Sequence, residues 1–395
     1  MVEMQTSLPP LTLYLHIPFC VRKCPYCDFR SSAVAVIPEQ AYLSAVKREL
    51  TWRRHQLADD PRPLQAIFIG GGTPSRLTAA TMAALLDHIR ALWPLVADCE
   101  ITLEANPESA TPDKMRDWHR MGIQRLSLGI QAFDAARLRF LERSHDLETA
   151  RRAIRQAIQV GFAALNLDLI YATPGQTLAG WARELAEAMA WAPRHLSCYA
   201  LTIEPGTPFF RRRQQSAWLA LSEAEEVALF RQTRSQLAQG GWVAYETSNF
   251  AQPGFACRHN GNYWSFGDYV GIGTAAHGKW TDAAGQIWRS ENPATVEAYL
   301  AILATGGDAP PHPLLRRHRV TPTEAGRECL LMGLRQAVGV ERALYQRLTG
   351  VDLVHRHAAR LAQWQAAGLI QVDDWRVRLT EQGVLLTDTI LLELL

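Results

Sequence analysis

The sequence lacks the long apolar run that a membrane-spanning helix needs. Although 48% of its 395 residues are hydrophobic, no run approaches the roughly 18 apolar residues that cross a bilayer. The first ten residues, Met-Val-Glu-Met-Gln-Thr-Ser-Leu-Pro-Pro, contain neither the basic stretch nor the apolar core of a signal peptide. We therefore expect a cytoplasmic protein, with peripheral attachment to a membrane left open.

The chain also carries little excess charge. Its 41 Lys and Arg residues against 39 Asp and Glu give a formal net charge of +2. Bulk charge of this size does not favour binding to nucleic acid. We expect no nucleic-acid partner.

Cysteine is scarce and unevenly placed. The chain has seven cysteines, an odd number that argues against a disulfide framework in a protein without secretion signals. Four are scattered, namely Cys99, Cys198, Cys257 and Cys329. The other three, Cys20, Cys24 and Cys27, follow directly on the apolar segment 11–17. Three thiolates on one loop can hold three irons of a cubane cluster and leave the fourth iron open. A zinc site that includes His16 is the alternative, although the usual second ligand pair is missing.

A glycine-rich turn, Gly-Gly-Gly-Thr-Pro at positions 70–74, ends a predicted strand over residues 65–70. Glycine allows a ligand to lie against the backbone. No lysine follows, which excludes a Walker-type phosphate loop. By itself the turn is as typical of a tight bend as of a binding loop.

Strands and helices alternate through the first half of the chain. The predicted strands cover residues 11–17, 65–70, 100–105, 125–130, 164–171 and 195–201. The predicted helices between them cover about 38–58, 78–92, 111–121, a stretch ending near 160, and 180–191. This alternation is typical of parallel βαβ units. It predicts an α/β protein with a partial (β/α)6 barrel.

Four of these strands carry polar residues on one face and apolar residues on the other. The polar faces comprise Thr12, Tyr14 and His16; Thr102 and Glu104; Ser127, Gly129 and Gln131; and Asn166 and Asp168. A single such residue is equally well explained as a satisfied buried group. Because the pattern recurs near the carboxyl ends of the strands, where barrel sites lie, it predicts a ligand site in the lumen.

The pattern changes after about residue 205. A helix is predicted over 222–240, and a Pro-rich linker lies at 309–313. Helices near 322–337, 340–349 and 354–367, a hairpin at 369–379 and a closing helix predict a small winged-helix-like domain. We therefore divide the chain into a barrel at 1–205, a barrel extension at 206–308 and a C-terminal domain at 309–395.

The cysteine spacing, with Tyr14 and His16 before it and Tyr26 inside it, resembles the radical S-adenosylmethionine (SAM) superfamily. The stretch Tyr-x-His-Ile-Pro-Phe-Cys-x3-Cys-x-Tyr-Cys resembles the branch that contains oxygen-independent coproporphyrinogen dehydrogenases and the heme chaperone HemW. The resemblance implies a 4Fe-4S cluster on Cys20, Cys24 and Cys27, with SAM chelating the open iron. It implies SAM contacts at Tyr14, Tyr26, Gly71, Gly72, Thr73, Glu104, Gln131, Arg143 and Asp168. Within that set, Asp168 would accept a ribose hydroxyl and Tyr26 would lie near the adenine.

A second stretch, Cys-Arg-His-Asn-Gly-Asn-Tyr-Trp at 257–264, is similar to a motif that the chaperone branch links to heme. The resemblance implies heme binding by His259, Asn260, Tyr263 and Trp264. An imidazole can be an axial iron ligand, with Cys257 or His277 as competitors, and aromatic rings can stack on a porphyrin. By the residue pattern alone, a turn at Asn260-Gly261 with aromatics in a core is the better interpretation.

Two departures separate this chain from the dehydrogenases. Those enzymes usually carry a further cysteine where this chain has Phe29, and a longer arm before the first strand. Both differences favour a heme chaperone, whose partners would be heme, acceptor hemoproteins including membrane respiratory enzymes, an electron donor and a second copy of the chain. The alternatives are a radical decarboxylase of coproporphyrinogen propionates, which would be an enzyme, and a winged-helix DNA-binding cluster sensor.

Overall fold

A computed structural model describes residues 8–215, 220–304 and 316–395. The strands are β1 Leu11–Ile17, β2 Phe19–Cys20, β3 Ser32–Ala33, β4 Leu64–Gly71, β5 Leu95–Ala105, β6 Arg125–Gln131, β7 Ala164–Tyr171, β8 His195–Ala200, β9 Val243–Ala244, β10 Asn249–Ala251, β11 Asp268–Ile272, β12 His277–Thr281, β13 Ile287–Glu291, β14 Arg316–Arg319, β15 Val340–Glu341, β16 Ile370–Val372 and β17 Arg376–Leu379.

The helices alternate with the strands in the first half and cluster in the C-terminal part. They are α1 Glu39–Gln56, α2 Ala79–Leu92, α3 Pro112–Arg120, α4 Ala135–Phe140, α5 Leu147–Val160, α6 Leu178–Ala190, α7 Pro208–Gln214, α8 Glu223–Gln239, α9 Arg258–Trp264, α10 Val296–Ala304, α11 Pro322–Gly333, α12 Arg342–Thr349, α13 Leu353–Arg356, α14 Ala358–Ala366, α15 Glu381–Val384 and α16 Thr387–Leu394. A short 3-10 helix covers Pro74–Arg76.

Local sequence explains where these helices start. The hydroxyls of Thr78, Thr111 and Thr177 accept the first free backbone N–H groups of α2, α3 and α6. A capping box between Ser222 and Glu225 starts α8. These caps confirm the predicted helices to within a few residues.

One mixed sheet of twelve strands forms the frame, in the order β14-β13-β12-β11-β1-β4-β5-β6-β7-β8-β10-β9. The six predicted strands, β1 and β4 to β8, are neighbours and parallel, as the partial barrel required. The sequence did not reveal β11, which adds a seventh parallel strand beside β1. Antiparallel strands continue the sheet at both ends, so it stays open rather than closing into a barrel.

The parallel strands have one apolar face and one polar face, as the alternation in their sequence predicts. On β1, Leu11, Leu13, Leu15 and Ile17 are at most 1% exposed and belong to the main apolar cluster, which includes residues of α1 and α2. The alternate residues of the parallel strands point into the lumen. The apolar core therefore lies between sheet and helices and leaves the inner face free for polar side chains.

The C-terminal part has its own apolar cluster. Its hairpin β16–β17 turns at Asp373, whose carboxylate accepts the backbone N–H groups of Trp375 and Arg376 at 2.8 Å each, as predicted. The predicted helix at 340–349 begins instead with β15, and the one at 354–367 is split into α13 and α14. The cluster also includes Phe266 and Ile287 from the predicted barrel extension. The linker predicted at 309–313 lies outside the described residues.

A membrane-spanning helix is not found within the described ranges, where every helix is too short or too polar to cross a bilayer.

Candidate functional site

A pocket of about 340 Å³ opens at the carboxyl ends of the parallel strands. Its walls come from the cysteine loop, the glycine-rich turn after β4 and the ends of β5 to β8. This is the edge at which ligands bind in open parallel sheets.

All three clustered cysteines reach this pocket. Their loop turns back at Cys27, whose backbone N–H donates to the Cys24 carbonyl at 3.1 Å. Two side chains donate to the sulfurs: Thr73 Oγ1 lies 3.6 Å from Cys20 Sγ, and Arg143 Nη1 lies 3.2 Å from Cys24 Sγ. Donors of this kind stabilise thiolates that bind iron.

The thiols fit a cluster better than a single zinc ion. Both ring nitrogens of His16 are occupied, Nδ1 by the Tyr14 hydroxyl at 2.9 Å and Nε2 by the Arg30 carbonyl at 2.8 Å. In the described part of the chain, no three His, Cys, Asp or Glu side chains are grouped closely enough to hold one metal ion. A cubane, in contrast, spreads its ligands over its corners. Burial raises the pKa of Cys27 to about 11, so its thiolate needs a positive partner such as iron.

The glycine-rich turn packs directly against the cysteine loop. Gly71 has a φ of +112°, and a Cβ there would lie 2.6 Å from His16 Cε1. Its neighbour Gly72 donates its N–H to the Ile17 carbonyl at 2.8 Å. Only glycine fits position 71, and the turn thereby exposes its backbone to the pocket.

Two half-buried carboxylates face the same space. Glu104 accepts the Gly71 N–H at 2.9 Å, and burial together with the charge of Asp168 raises the Glu104 pKa to about 8. Burial also raises the pKa of Asp168, against the opposing effect of its hydrogen bonds. A cationic ligand would compensate both groups. SAM carries an amino group and a sulfonium, so the donor set fits it.

Arg143 joins the two sides of the pocket. Besides Cys24 it reaches the Tyr26 hydroxyl at 3.4 Å and Asn106 Oδ1 at 2.6 Å. Its guanidinium thus places positive charge between Cys24, a predicted cluster ligand, and Tyr26, which is predicted to contact adenine.

The structure brings together eight of the nine residues predicted to contact SAM. The residues that line the pocket are Tyr26, Gly71, Gly72, Thr73, Glu104, Gln131, Arg143 and Asp168. Tyr14 is not part of the pocket lining, and its contact with SAM stays a prediction; its hydroxyl lies 2.9 Å from His16 Nδ1. Its role here is to hold His16, which in turn holds the cysteine loop at Arg30.

Sequence reasoning missed several lining residues. They are Asn106, Ile170, Tyr199 and Leu201. Asn106 directly follows β5 on the face of Glu104, so face alternation could have identified it, as it did Ser127 and Gly129. Tyr199 and Leu201 follow Ser197 at every second position of the predicted strand 195–201, so the same alternation could have identified them.

The segment predicted to bind heme lies elsewhere. It forms helix α9 rather than the predicted turn, and His259 enters the lumen beneath the pocket at 4% exposure. Its ring stacks on Phe68 and Tyr14, with centroids 5.1 and 6.0 Å away. Burial lowers its pKa to about 3, and its Nδ1 has no hydrogen-bond partner. His259 therefore lies in an aromatic core, as the alternative interpretation of this segment predicted.

The other residues predicted to bind heme, and the two competing ligands, also lie away from this pocket. Asn260, Tyr263 and Trp264 are half-buried. Cys257 is buried, and its thiol donates to Glu100 Oε1 at 3.4 Å. His277 is exposed at the start of β12. None of these residues lines the pocket at the cysteine loop.

Comparison with known proteins places the chain in a family. The model described as "Radical SAM superfamily" matches residues 14–188, and that described as "HemN C-terminal domain" matches residues 320–386. Heme chaperone HemW of Escherichia coli (strain K12) is 44% identical over 72% of this chain and 74% of its own length. The chain belongs to the HemW family.

More distant HemW relatives extend the match over nearly the whole chain. HemW of Bacillus subtilis (strain 168) is 32% identical over 94% of this chain and 96% of its own length. The Bos taurus protein "Radical S-adenosyl methionine domain-containing protein 1, mitochondrial" is 32% identical over 97% of this chain and 87% of its own length.

A solved structure shares the fold. Coproporphyrinogen III oxidase (HemN) from Escherichia coli superposes with a TM-score of 0.80 over 98% of this chain and 90% of that one, at 24% identity. Membership of the radical SAM superfamily implies a 4Fe-4S cluster and SAM.

Proposed function

We propose that this protein is a heme chaperone, which binds heme and delivers it to acceptor hemoproteins while it carries a 4Fe-4S cluster and SAM. The observation that carries the proposal is the identity of 32–44% to HemW proteins, in one case over 94% of the chain. Phe29 adds support. It stands 59% exposed at the pocket wall, where the dehydrogenases resembled by the cysteine motif would have a further thiol.

Cys20, Cys24 and Cys27 would hold the cluster, and the eight pocket residues together with Tyr14 would hold SAM. When bound, the cluster supplies an open iron for the amino and carboxylate groups of SAM. Glu104 would balance the positive charge of the ligand, and Asp168 would accept its ribose hydroxyls. Tyr26 and Arg143 would fix the ligand at the cysteine side.

Heme would bind at α9 through His259, Asn260, Tyr263 and Trp264. His259 has a buried nitrogen without a hydrogen-bond partner, an arrangement that buried polar groups rarely keep. Because the ring is 4% exposed and packs against both Tyr14 and Phe68, iron coordination would require α9 to move outward. The protein would work in the cytoplasm or at a membrane surface. Its partners would be hemoproteins such as respiratory enzymes, an electron donor and a second copy of the chain.

Transfer of heme tests the proposal. Anaerobically reconstituted protein would be titrated with heme and mixed with an apo-hemoprotein, and the acceptor's spectrum would be followed. We expect stoichiometric heme uptake and transfer. In a parallel reaction, coproporphyrinogen III, SAM and a reductant should give no decarboxylated product. Decarboxylation without heme transfer would reject the chaperone and favour the dehydrogenase.

A further inference from the structure

A chain of buried polar side chains leads away from the pocket below Asp168. Ser127 Oγ donates to Asp168 Oδ2 at 2.8 Å, and Asn166 Nδ2 donates to Asp168 Oδ1 at 2.9 Å. On its far side, Asn166 Oδ1 lies 2.6 Å from His195 Nδ1. Asn166 and His195 are 3% and 2% exposed, so no bulk water can replace these bonds.

The hydrogen bonds in this chain have one consistent direction. The Asn166 amide nitrogen faces the Asp168 carboxylate, so its oxygen must accept from His195 Nδ1–H. Burial keeps the His195 ring neutral by lowering its pKa. Its other nitrogen, Nε2, is therefore an acceptor, and it lies 2.9 Å from the Tyr245 hydroxyl.

Tyr245 connects the chain to α9 and to the C-terminal part. The Asn260 side chain of α9 lies at the same hydroxyl. The Tyr245 carbonyl accepts the Ala337 N–H at 3.0 Å. Gln336, beside it, donates to the Trp264 carbonyl at the end of α9 at 2.9 Å. One imidazole thus stands between the floor of the pocket and the segment proposed to bind heme.

We propose that His195 is a positioning residue: through Asn166 it fixes the Asp168 carboxylate at the floor of the pocket, and through Tyr245 it ties that carboxylate to α9. Ser127 and Asn166 each donate to one carboxylate oxygen, and Ser197 also lies against the carboxylate, so the lone pairs that stay free are left for a ligand diol. The inference rests on the proposed role of Asp168 in binding SAM.

Three substitutions at one position separate positioning from packing. In His195→Asn, the amide nitrogen falls near the place of Nδ1 and can still donate to Asn166. In His195→Gln it falls near the place of Nε2, and His195→Leu removes both contacts. SAM affinity would be measured by equilibrium dialysis with anaerobically reconstituted, heme-free protein, alongside the unfolding temperature. We expect His195→Asn to bind within twofold of wild type, and His195→Gln and His195→Leu to bind 5- to 10-fold more weakly.

A purely structural role would give a different result, because affinity would then fall with unfolding temperature in all three variants. That outcome, or unchanged affinity in His195→Leu, overturns the inference. Asp168→Asn serves as the reference. If it weakens SAM binding while the His195 variants do not, only the positioning role is lost; if it has no effect, the proposed role of Asp168 is lost as well.

A separate pair of variants tests the connection from His195 through Tyr245 to α9. Tyr245→Phe removes one hydroxyl of a residue that does not line the pocket, and we expect SAM affinity to fall two- to fivefold. Tyr345→Phe is the matched control, since its hydroxyl also lies near a histidine, 3.3 Å from His357 in the C-terminal part. Equal SAM affinity in Tyr245→Phe and Tyr345→Phe would contradict this connection. The test holds even if His195→Leu does not fold.

Discussion

Glu104 carries a proton at neutral pH in the SAM-free protein, because burial and the nearby Asp168 raise its pKa to about 8. An unfolded glutamate has a pKa near its ordinary value of about 4.3. Between these two values the folded chain holds a proton that the unfolded chain has lost. Stability therefore falls as pH rises through this window and levels off above about pH 8.

Glu104→Gln tests this directly, because glutamine stays neutral at every pH. We expect wild-type protein, loaded with cluster but free of SAM, to lose about 2–3 kcal/mol between pH 6 and 8, at roughly 1.4 kcal/mol per pH unit. In Glu104→Gln that part of the slope should vanish. Unfolding temperatures across pH 6–9 give the measurement. Glu148→Gln, whose carboxylate is 64% exposed, should keep the wild-type slope.

The cysteine ligands give a second prediction for single residues. Cys24→Ser should lose the visible absorbance of the cluster and most of its iron, because one of three protein ligands is removed. Cys329→Ser changes a buried cysteine in the C-terminal cluster and should retain full iron content. Zinc in place of iron after anaerobic reconstitution of wild type would contradict the cluster.

Single residues were predictable where strand alternation decides their face. Glu104, Gln131 and Asp168 were expected in the lumen and lie there, since every second side chain of a strand shares a face. Depth along the strand was not predictable: Tyr14 and His16 lie on the polar face of β1, yet neither lines the pocket. Depth depends on register between strands that are far apart in sequence.

At the scale of elements, α9 departs most from its sequence pattern. Asn260 and Gly261 favour a turn, yet the segment is helical because its residues fill the lumen beneath β1 and β4. Asn262 donates to the Asp268 carbonyl at 2.8 Å, and His259 stacks on Phe68. Tertiary contacts therefore override the local preference.

Two variants of His259 separate its packing from its proposed ligand role. His259→Ala should destabilise the protein by about 2–4 kcal/mol, because it leaves a cavity beside two aromatic rings. His259→Phe should cost less than about 1.5 kcal/mol, since ring volume is conserved and the unpaired nitrogen is removed. Both should keep the cluster and bind heme at least tenfold more weakly in titration. Wild-type heme affinity in His259→Phe would remove His259 as the ligand.

At the scale of the whole molecule, the sheet was predictable only in its first half. The six βαβ strands follow from local alternation and right-handed crossovers. β11 pairs with β1, Tyr269 lying beside Thr12, across more than half of the chain, and its short apolar run carries no signal of that partner. The open sheet with antiparallel strands at each end follows from such long-range pairing.

The seam of the sheet is the place where β11 lies between the parallel strand β1 and the antiparallel strand β12. It depends on a buried ion-pair network. Asp268 is fully buried and accepts from Lys279 Nζ at 2.7 Å and from Arg62 Nη1 at 2.8 Å. Lys279 also donates to the Phe266 carbonyl at 2.9 Å. These bonds join β11, β12 and the segment before β4, so both halves of the sheet meet at one carboxylate.

Lys279→Met should therefore destabilise the whole sheet rather than one edge. Removing one partner of a buried pair costs about 3–5 kcal/mol, because the remaining charge loses its compensation. We expect one cooperative denaturant transition shifted to lower concentration. Arg360→Met breaks a surface pair with Glu393, whose side chains are 53% and 38% exposed, and should cost less than about 1 kcal/mol. A separate early transition in Lys279→Met would mean that the antiparallel strands unfold independently of the parallel ones, and that the seam does not couple them.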